Sequence, residues 1–278
     1  MLPGFKIMEK NFEFRPIGVV HSDRHYRYEA PRQGVFASGC GEIELFSEFA
    51  GDAIADLAGF ARIWVIFCFH LNCGKEWKAK VRPPFPASGP CRSVFATRSP
   101  YRVNPIGLSC VELTGISGRK LLIRSMDMLD GTPVLDIKPY IPEADAFPDS
   151  AVGWRCAVPE ADNLQWELEF SEVFNEQSAF IYDSSSLDLV NLVKVQLGSE
   201  PLDVSRKRIK KIDENLWALG CRTWQIIFSV DENLRQVKVL EIRSNYPADE
   251  LTEGVEDRYQ DKDIHRKFIR FNQLNKRF

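Results

Sequence analysis

The first half of the chain contains seven short runs rich in β-branched, aromatic and aliphatic residues, and these runs constrain the fold more than any other feature. They are Phe14 to Val20, Cys40 to Phe46, Ile63 to Phe69, Val94 to Thr97, Ser109 to Leu113, Lys120 to Ser125 and Val134 to Ile137. Short strands at close spacing, separated by turn-forming residues, are typical of antiparallel sandwiches and barrels. The first half therefore predicts a compact antiparallel β-barrel.

One helix is expected within this strand-rich half. In the segment GDAIADLAGF, the side chains of Ile54, Leu57 and Ala58 fall on one helical face, and Gly59 can close the C-terminus. The segment therefore predicts a single short helix between two of the strands.

The pattern changes near Tyr140, where a polar stretch with several prolines predicts a linker that ends near Asp162. Beyond it, apolar residues recur at helical spacing from Asn163 to Phe180 and again from Leu187 to Leu197. We therefore expect two helices after the linker.

Strand-type residues return after these helices. The runs Trp224 to Val230 and Arg235 to Arg243 flank DENL, which favours a hairpin. The charged end, Asp257 to Phe278, predicts an exposed helix or a loose tail. The expected fold class is mainly β plus α+β, with an N-terminal antiparallel β-barrel over residues 12–145 and a smaller C-terminal α+β domain over residues 162–278.

Composition narrows the class of protein. With 44% hydrophobic and 27% charged residues, the 278-residue chain has too many apolar side chains for a disordered protein. The net charge of −3 means that any binding of nucleic acid must depend on local basic patches. The seven cysteines include no CxxC pair, which argues against a disulfide scaffold and against a zinc ribbon.

The sequence offers no signal for a membrane or for export. The best apolar run, Ile63 to Phe69, ends at His70 and is far shorter than the roughly 20 residues that a membrane span needs. The N-terminal MLPGFKIMEKNFEF lacks the long apolar region and the small-residue cleavage site of a secretory signal. These features predict a cytoplasmic protein without a membrane segment.

Polar and conformationally special residues concentrate in four segments of the first half. These are Pro31 to Gly34 (PRQG), His70 to Asn72 (HLN), Phe95 to Ser109 (FATRSPYRVNPIGLS) and Asp130 to Tyr140 (DGTPVLDIKPY). Loops on a rigid barrel commonly carry binding groups, because the scaffold fixes these groups while leaving them exposed. The four segments together are therefore the candidate site.

Two arginines of the third segment suit an anion. Arg98 and Arg102 flank Pro100, which restricts the loop, so both guanidinium groups are presented with little backbone freedom. The run from Asn104 to Gly107 resembles a helix start, whose free N–H groups could receive a carboxylate or a phosphate.

Purely structural interpretations of these residues are also open. Arg98 can pair with a carboxylate such as Asp127 or Asp130, and the DGTP sequence can be no more than a turn. A histidine that follows an apolar strand, as His70 does, is more often a hydrogen-bonded rim residue than a catalyst.

Several familiar functional motifs are absent from the sequence. It contains no GxGxxG after a strand, no GxxxxGK[ST] and no GxSxG. His21 and His25 are four residues apart but lack the glutamate of an HExxH motif, so we expect no metal. NTPases, dinucleotide dehydrogenases, serine hydrolases and Rossmann-type methyltransferases are therefore disfavoured.

The four segments, in this order and at this spacing, resemble the TrmO family of tRNA adenine-N6 methyltransferases, which bind S-adenosylmethionine in a β-barrel. The resemblance runs from Phe14 to Tyr140 through PIGVVHS, PRQG, IWVIFCFH, VRPP, VFATRSP, NPIGLS and DGTPVLDIKPY. It implies an enzyme that methylates N6 of the threonylcarbamoylated adenosine at position 37 of tRNA, next to the anticodon. It also implies a homodimer with the cofactor near the subunit contact.

The resemblance places the cofactor contacts in the matching segments. The implied contacts are Pro31, Arg32, Gln33, His70, Leu71, Arg98, Leu108, Asp130, Gly131, Thr132 and Pro133. Arg98 would meet the carboxylate of the cofactor, Asp130 its amino group or ribose, and Arg102 the acid of the threonylcarbamoyl group. Because a sulfonium already activates the methyl carbon, orientation and desolvation can supply most of the catalysis, and His70 is one candidate for the proton acceptor.

Two departures from the family pattern bear on RNA recognition. Where family members often read RPNP, this chain reads RVNP from Arg102, and Gly198 to Lys211 (GSEPLDVSRKRIKK) replaces a DPRPAY-like sequence. The second segment still crowds basic residues, and Arg206, Lys207 and Arg208 are the expected tRNA contacts, with a solvated charged face as the alternative.

Two other functions stay open at this point. The protein can be a cofactor-sensing or RNA-binding module that has lost turnover, or a methyltransferase with a different acceptor. A second basic stretch, from His265 to Arg277, either extends the RNA-binding surface or is a solvated end of the chain.

Overall fold

The computed structural model describes residues 12–31, 33–36, 39–83, 89–157, 166–205, 207–252 and 254–275. The strands of its first half are β1 (Gly18–His21), β2 (Cys40–Leu45), β3 (Arg62–Cys68), β4 (Lys80–Val81), β5 (Arg92–Ser93), β6 (Ile106–Ser117), β7 (Lys120–Arg124) and β8 (Pro133–Pro139). Six of these strands close into a barrel in the order β1-β2-β7-β6-β3-β8, and all neighbours are antiparallel. The expected antiparallel barrel is confirmed, and β4 and β5 form a separate two-stranded ribbon.

Alternating side chains explain why the strands close around a core. In β3, Ile63, Val65 and Phe67 are buried, whereas the residues between them are half-buried on the outside. Since successive side chains of a strand point to opposite faces, one residue in two fills the barrel interior. Gly107, on the neighbouring β6, leaves room for the ring of Phe67, because a Cβ there would lie 2.2 Å from the ring.

Two elements of the first half differ from the sequence prediction. Val94 to Thr97 is not a strand, because Val94–Ala96 forms a 3-10 turn that buries Val94 and is closed by the Thr97 side chain, whose hydroxyl donates to the Val94 carbonyl at 2.9 Å. The helix expected near Ile54 is a 3-10 helix, Gly51–Leu57, with Ile54 buried. Gly59 follows it with a φ of +104°, a conformation that favours glycine.

The second half forms a five-stranded sheet covered by helices. Its strands are β9 (Glu167–Phe170), β10 (Ile209–Asp213), β11 (Leu216–Cys221), β12 (Trp224–Asp231) and β13 (Gln236–Ser244), in the spatial order β10-β11-β12-β13-β9. The α-helices of the described residues are α1 (Pro142–Asp145), α2 (Glu172–Ser185), α3 (Leu189–Leu197) and α4 (Lys262–Asn275). The β12–β13 hairpin and α3 were predicted, and the α+β class is confirmed. Strands β10 and β11 were not predicted.

The helix predicted from Asn163 to Phe180 is wrong in its first part. Glu167–Phe170 is a strand that alternates exposed and half-buried residues and pairs in parallel with β13. The helix begins only after Ser171, whose hydroxyl accepts a hydrogen bond from the Phe174 backbone at 3.0 Å. Burial against β13 therefore overrides the helical spacing of the leucines.

The linker and the C-terminus also carry more structure than expected. The stretch after Tyr140 contains α1 and a 3-10 turn at Gly153–Ala157, and its predicted end at Asp162 lies outside the described residues. The segment predicted as an exposed helix or a loose tail contains α4, in which His265 and Phe268 are 0% and 1% exposed. The helix is therefore part of the second core rather than a solvated end, and Arg277 lies outside the described residues.

Within the described residues, no helix has the length and apolarity that a membrane crossing requires. The two hydrophobic cores are separate clusters, one inside the barrel and one between the second sheet and its helices. Tyr28, from the loop after β1, is the barrel-side residue that packs against the second core. The two units therefore meet at this loop.

Candidate active site

One end of the barrel collects the segments that the sequence singled out. The backbone of Phe69, just after β3, donates to Pro105 O at 2.7 Å, and Gly131 N donates to Val20 O at 2.9 Å. The first contact joins the HLN turn to the loop before β6, and the second joins the DGTP turn to the end of β1. Three loops that are distant in sequence thus form one rim.

His70 and Thr132 meet at this rim. Nδ1 of His70 lies 3.4 Å from the hydroxyl oxygen of Thr132, and the guanidinium of Arg27 donates to the Leu71 carbonyl. Burial, with a further effect of the nearby Arg27 charge, lowers the pKa of His70, which Asp130 partly opposes. The imidazole is therefore neutral at physiological pH and has a nitrogen that can accept a proton.

Asn72 adds a second polar group to the same turn. Its side chain is 8% exposed, and its Nδ2 has no hydrogen-bond partner among the described residues. A buried donor without a partner is costly, so such a group is best explained by a bound molecule or by water. Sequence reasoning placed Asn72 in the HLN segment but did not assign it a contact.

Asp130 is held by the loop that follows β1. Its Oδ1 accepts from Ser22 N at 3.1 Å, its backbone N–H donates to Arg24 O at 2.7 Å, and its Oδ2 lies 3.5 Å from Nδ1 of His25. Gly131 follows with a φ of +71°, where an L side chain would be strained. The carboxylate is thus fixed but still about one-third exposed.

The PRQG segment packs directly on the strand end after β7. Pro31 is buried and Gln33 half-buried, whereas Arg32 lies outside the described residues. A Cβ on Gly34 would lie 1.8 Å from the Ser125 carbonyl oxygen, so only glycine allows this close approach. The segment is therefore fixed by backbone contact.

The two arginines of the third segment have different environments in the structure. Arg98 is exposed and makes no hydrogen bond or ion pair with any other described residue, so the alternative of a pair with Asp127 or Asp130 is wrong. Nη1 of Arg102 instead donates to the carbonyls of Val94 and Thr97 at 3.2 and 2.8 Å. Arg102 therefore braces the loop that presents Arg98.

The helix start expected at Asn104 to Gly107 is not formed. Strand β6 begins at Ile106, whose N–H donates to Asn104 O at 2.7 Å. Because the strand pairs with β3 from its first residue, the N–H groups of this segment do not point together as they would at a helix N-terminus. No anion site of that kind exists here.

The candidate segments also carry exposed apolar side chains. Leu71 is 39% exposed, Leu108 56% and Phe95 74%, and Pro133 begins β8 beside Thr132. Exposed apolar residues next to fixed polar groups are typical of a binding surface. The chemistry of this rim suits a ligand that combines an anion, hydrogen-bond donors and a flat apolar part, which is the combination that S-adenosylmethionine offers.

The basic segment of the second unit is not a uniform cationic surface. Nζ of Lys207 donates to the carbonyls of Gln196, Ser199 and Glu200, with 2.6 Å to the first and 2.9 Å to the last. The guanidinium of Arg208 lies 4.9 Å from the centre of the Tyr28 ring. Arg206 lies outside the described residues. Lys207 thus caps the end of α3, contrary to its expected role as a free RNA contact.

Several residues around the site were missed by sequence reasoning. Arg24, Arg27 and Glu29 all lie in the loop before PRQG, and Arg222 of the second unit contacts the same loop. Their position directly before a motif, in HSDRHYRYEA, was the only available signal. Metal ligation receives no support from the described residues, where no cluster of three or more His, Cys, Asp or Glu side chains could hold an ion.

Comparisons with known proteins agree with this architecture. The family model described as the tRNA-methyltransferase O N-terminal domain matches residues 19–146. The tRNA (adenine(37)-N6)-methyltransferase of Escherichia coli K12 is 39% identical over 158 residues, which are 55% of this chain and 67% of the relative. The Eikenella corrodens protein of the same name is 33% identical over 186 residues, which are 65% of this chain and 97% of the relative.

Solved structures extend the similarity beyond the barrel. The crystal structure of TrmO from Pseudomonas aeruginosa superposes with a TM-score of 0.61 at 27% identity, covering 84% of this chain and 99% of that one. Another TrmO crystal structure gives a TM-score of 0.62 at 28% identity, again over 84% of this chain. The chain therefore belongs to the TrmO family.

Proposed function

We propose that the protein transfers the methyl group of S-adenosylmethionine to N6 of adenine 37 in tRNA. The observation that carries the proposal is the convergence of four family segments at one barrel end, where Arg98 is exposed and unpaired among the described residues and Asp130 is fixed. The names of the Escherichia coli and Eikenella corrodens relatives supply the reaction and the acceptor. A Pseudomonas aeruginosa relative is named as S-adenosylmethionine-dependent, which supports the cofactor.

The proposed cofactor contacts keep the residues that the family motifs imply. They are Pro31, Arg32, Gln33, His70, Leu71, Arg98, Leu108, Asp130, Gly131, Thr132 and Pro133. Arg98 binds the carboxylate and Asp130 the amino group or ribose, while Leu71 and Leu108 cover apolar surface. When bound, the cofactor supplies a methyl carbon that its sulfonium has already activated.

The residues of the chain orient the reactants and accept the proton that leaves N6. The proposed proton acceptor is His70, because its lowered pKa keeps the imidazole neutral and able to take the N6 proton. Replacing His70 by alanine should then lower kcat at saturating cofactor, in addition to any loss of cofactor affinity. A variant with normal kcat would remove His70 from the mechanism.

The threonylcarbamoyl group on adenosine 37 is the finer part of the proposal. The contacts of Arg102 to Val94 and Thr97 use Nη1 alone, so Nη2 can meet the carboxylate of that group. Arg208 and Arg206, the latter outside the described residues, stay proposed tRNA contacts, whereas Lys207 contributes by holding their segment in place. Activity on tRNA with and without the threonylcarbamoyl group would test this specificity.

A homodimer and a cytoplasmic location complete the proposal. The exposed apolar residues Phe95, Val103, Ile106 and Leu108 lie beside the site and would be covered in a dimer. In sedimentation experiments, the wild type should be a dimer, and Phe95→Glu should dissociate into monomers more readily. The separate cores support two folding units at residues 12–145 and 162–278.

The decisive experiment is transfer of labelled methyl groups from S-adenosylmethionine to tRNA that lacks the modification, followed by nucleoside analysis. Arg98→Ala should abolish transfer by losing the cofactor carboxylate. Arg15→Ala is a matched control, because Arg15 is an exposed arginine that precedes β1, at the opposite end of that strand from His21. Cofactor binding without transfer would favour a sensor or a different acceptor, and absent binding would refute the proposal.

A further inference from the structure

Arg222 of the second unit is hydrogen-bonded to a loop of the barrel, and this loop contacts the rim that we propose binds the cofactor. Arg222 lies in the tight turn between β11 and β12 with a φ of +49°, so its side chain projects from the tip of a hairpin. Its Nε donates to Oε1 of Glu29 at 2.8 Å and its Nη2 to Oε2 of the same carboxylate at 3.1 Å. The two residues are 193 positions apart in the sequence.

The pair is bidentate and largely buried. The Glu29 side chain is 4% exposed and that of Arg222 21%. A forked guanidinium contact fixes direction as well as distance, which a lysine cannot reproduce. Removing one partner of a buried pair leaves the other charge without compensation, which is strongly unfavourable. The contact therefore specifies the position of Glu29 relative to the second sheet.

Further contacts extend the grip along the same loop. Nη2 of Arg222 also donates to the Asp23 carbonyl at 2.7 Å, and the backbone N–H of Arg222 donates to the Tyr28 hydroxyl at 3.0 Å. Nε2 of Gln196 donates to Tyr28 O at 2.6 Å. The loop from residue 22 to residue 30, which we term the clasp loop, is therefore held at both ends by the second unit.

The clasp loop reaches the proposed cofactor segments from its other side. Ser22 and Arg24 hydrogen-bond Asp130, and Arg27 hydrogen-bonds the Leu71 carbonyl. Glu29 itself accepts from the backbone N–H groups of His25 and Tyr26, at 2.7 and 3.1 Å, and so sets the internal shape of the loop. The chain then runs directly into Pro31. Every step from Arg222 to the rim is a direct contact.

The cleft between the two units brings the same groups together. It has a volume of about 570 Å³, and Arg222 and Asp130 both line it, with His21, His25 and Glu42. Arg222 lines this cleft, but its Nε and Nη2 are already bonded to Glu29 and to the Asp23 carbonyl. The path from Arg222 to the rim that these bonds define runs through the clasp loop.

We propose that Arg222 is a positioning residue through which the second unit sets the geometry of the cofactor rim. The inference rests on the proposed function, because it takes Asp130, Leu71 and the PRQG segment as cofactor contacts. It gives the second unit a role in cofactor binding in addition to any contact with tRNA. Loss of Arg222 leaves the barrel folded but frees the clasp loop.

The test compares Arg222→Met and Arg222→Lys with Arg243→Met as the matched control. Among the described residues, Arg243 pairs with Glu241 on strand β13, makes no hydrogen bond or ion pair with the clasp loop, and is half-exposed. Calorimetry gives the dissociation constant of S-adenosylmethionine, kinetics separate kcat from KM, and hydrogen exchange reports the amides of the clasp loop and of β12. All variants are measured well below their melting temperatures.

We expect Arg222→Met to weaken cofactor binding at least fivefold and to raise the cofactor KM by the same factor, with a smaller change in kcat at saturation. Arg222→Lys should lie between the wild type and Arg222→Met, since it keeps the charge and loses the fork. Clasp-loop amides should exchange faster while those of β12 do not. Arg243→Met should match the wild type in each measurement.

Two results would overturn the inference. If cofactor affinity and the hydrogen exchange of the clasp-loop amides were both unchanged, the loop would keep its conformation without Arg222. Equal acceleration of exchange in the clasp loop and in β12 would show that Arg222 only stabilises the second unit. Failure of the proposed function is seen separately, as a wild type that does not bind S-adenosylmethionine, because loop exchange still reports the grip of Arg222 in that case.

Discussion

Arg98 at the barrel rim and two basic side chains of the second unit are used in opposite ways. At the barrel rim, Arg98 is exposed and has no partner among the described residues, held out by a loop that Arg102 braces from within. In the second unit, Lys207 and Arg222 are bonded to carbonyls and to a carboxylate. A cluster of positive charge in a sequence therefore does not show which cations face a ligand and which hold the fold.

The two cores differ in a similar way. The barrel core is built from aliphatic residues at period two, with Phe67 filling the gap over Gly107. The second core is rich in aromatic rings, and it contains a buried histidine, His265, stacked on Trp224 with ring centroids 3.6 Å apart. From this comparison we predict that the stability of one unit can be changed without changing the stability or the binding properties of the other. Four perturbations test this prediction.

The largest expected effect is on the second core alone. Phe174 is fully buried and stacks on Phe170 with centroids 5.4 Å apart. Phe174→Ala should lower the free energy of unfolding by about 3–5 kcal/mol, the usual cost of emptying a buried aromatic site. Chemical denaturation measures the loss, with Val173→Ala as the control because Val173 is 51% exposed.

The affinity of the folded Phe174→Ala variant for the cofactor tests whether the two units are independent. We expect an almost unchanged dissociation constant at low temperature, because Phe174 has no contact with the barrel rim among the described residues. A loss of affinity in proportion to the loss of stability would mean that the two units unfold as one.

The next effect is a loss of stability of the second unit at acidic pH. His265 is 0% exposed, and burial lowers its pKa to about 4, against the opposing effect of Asp261. Because the unfolded chain, with a histidine pKa near 6.5, binds the proton more tightly, stability is full above pH 6.5 and falls as the pH drops toward 4. The loss is about 3 kcal/mol.

Hydrogen exchange at pH 7 and at pH 5 checks this prediction. Nε2 of His265 lies 2.9 Å from the Thr223 hydroxyl and Nδ1 2.8 Å from the Ser244 hydroxyl, so both ring nitrogens are satisfied without a second proton. Amides of β12 should lose protection at pH 5 more than amides of β3. Equal loss in the two strands would contradict an origin at His265.

A smaller effect is expected from crowding the barrel. A Cβ on Gly107 would lie 2.2 Å from the Phe67 ring, whereas one on Gly115 would meet Leu122 at an ordinary 3.5 Å. Gly107→Ala should therefore cost about 1–3 kcal/mol by overpacking, and Gly115→Ala far less. Thermal unfolding of the two variants, side by side, gives the difference. Similar melting temperatures would show that Phe67 moves aside freely.

The smallest effect concerns tRNA binding by the second unit. Lys210 is exposed on β10, whereas the ammonium of Lys207 is bonded to three carbonyls. Lys210→Ala should reduce the slope of log affinity against log salt by about 1, the value for one lost phosphate contact. Lys207→Ala should change the slope little but destabilise the end of α3. The reverse result would make Lys207 the RNA contact.

Much of the barrel and part of its rim could be predicted from local patterns. The alternation of Ile63, Val65 and Phe67 identifies a half-buried strand, and the HLN and DGTP segments mark its neighbouring loops. The prediction failed where a partner distant in sequence decided the outcome. Pairing with β13 makes Glu167–Phe170 a strand, and pairing with β3 makes Ile106 the start of a strand instead of a helix.

By itself, the sequence determined the barrel, its family and the loops of the candidate site, because residue alternation and turn residues act over a few positions. Only the tertiary structure decided that Lys207 caps a helix, that His265 is buried, and that Arg222 grips Glu29 across 193 positions. These contacts depend on side chains that the fold brings together from distant parts of the chain. Charge and burial at such positions are therefore properties of the fold and not of the local sequence.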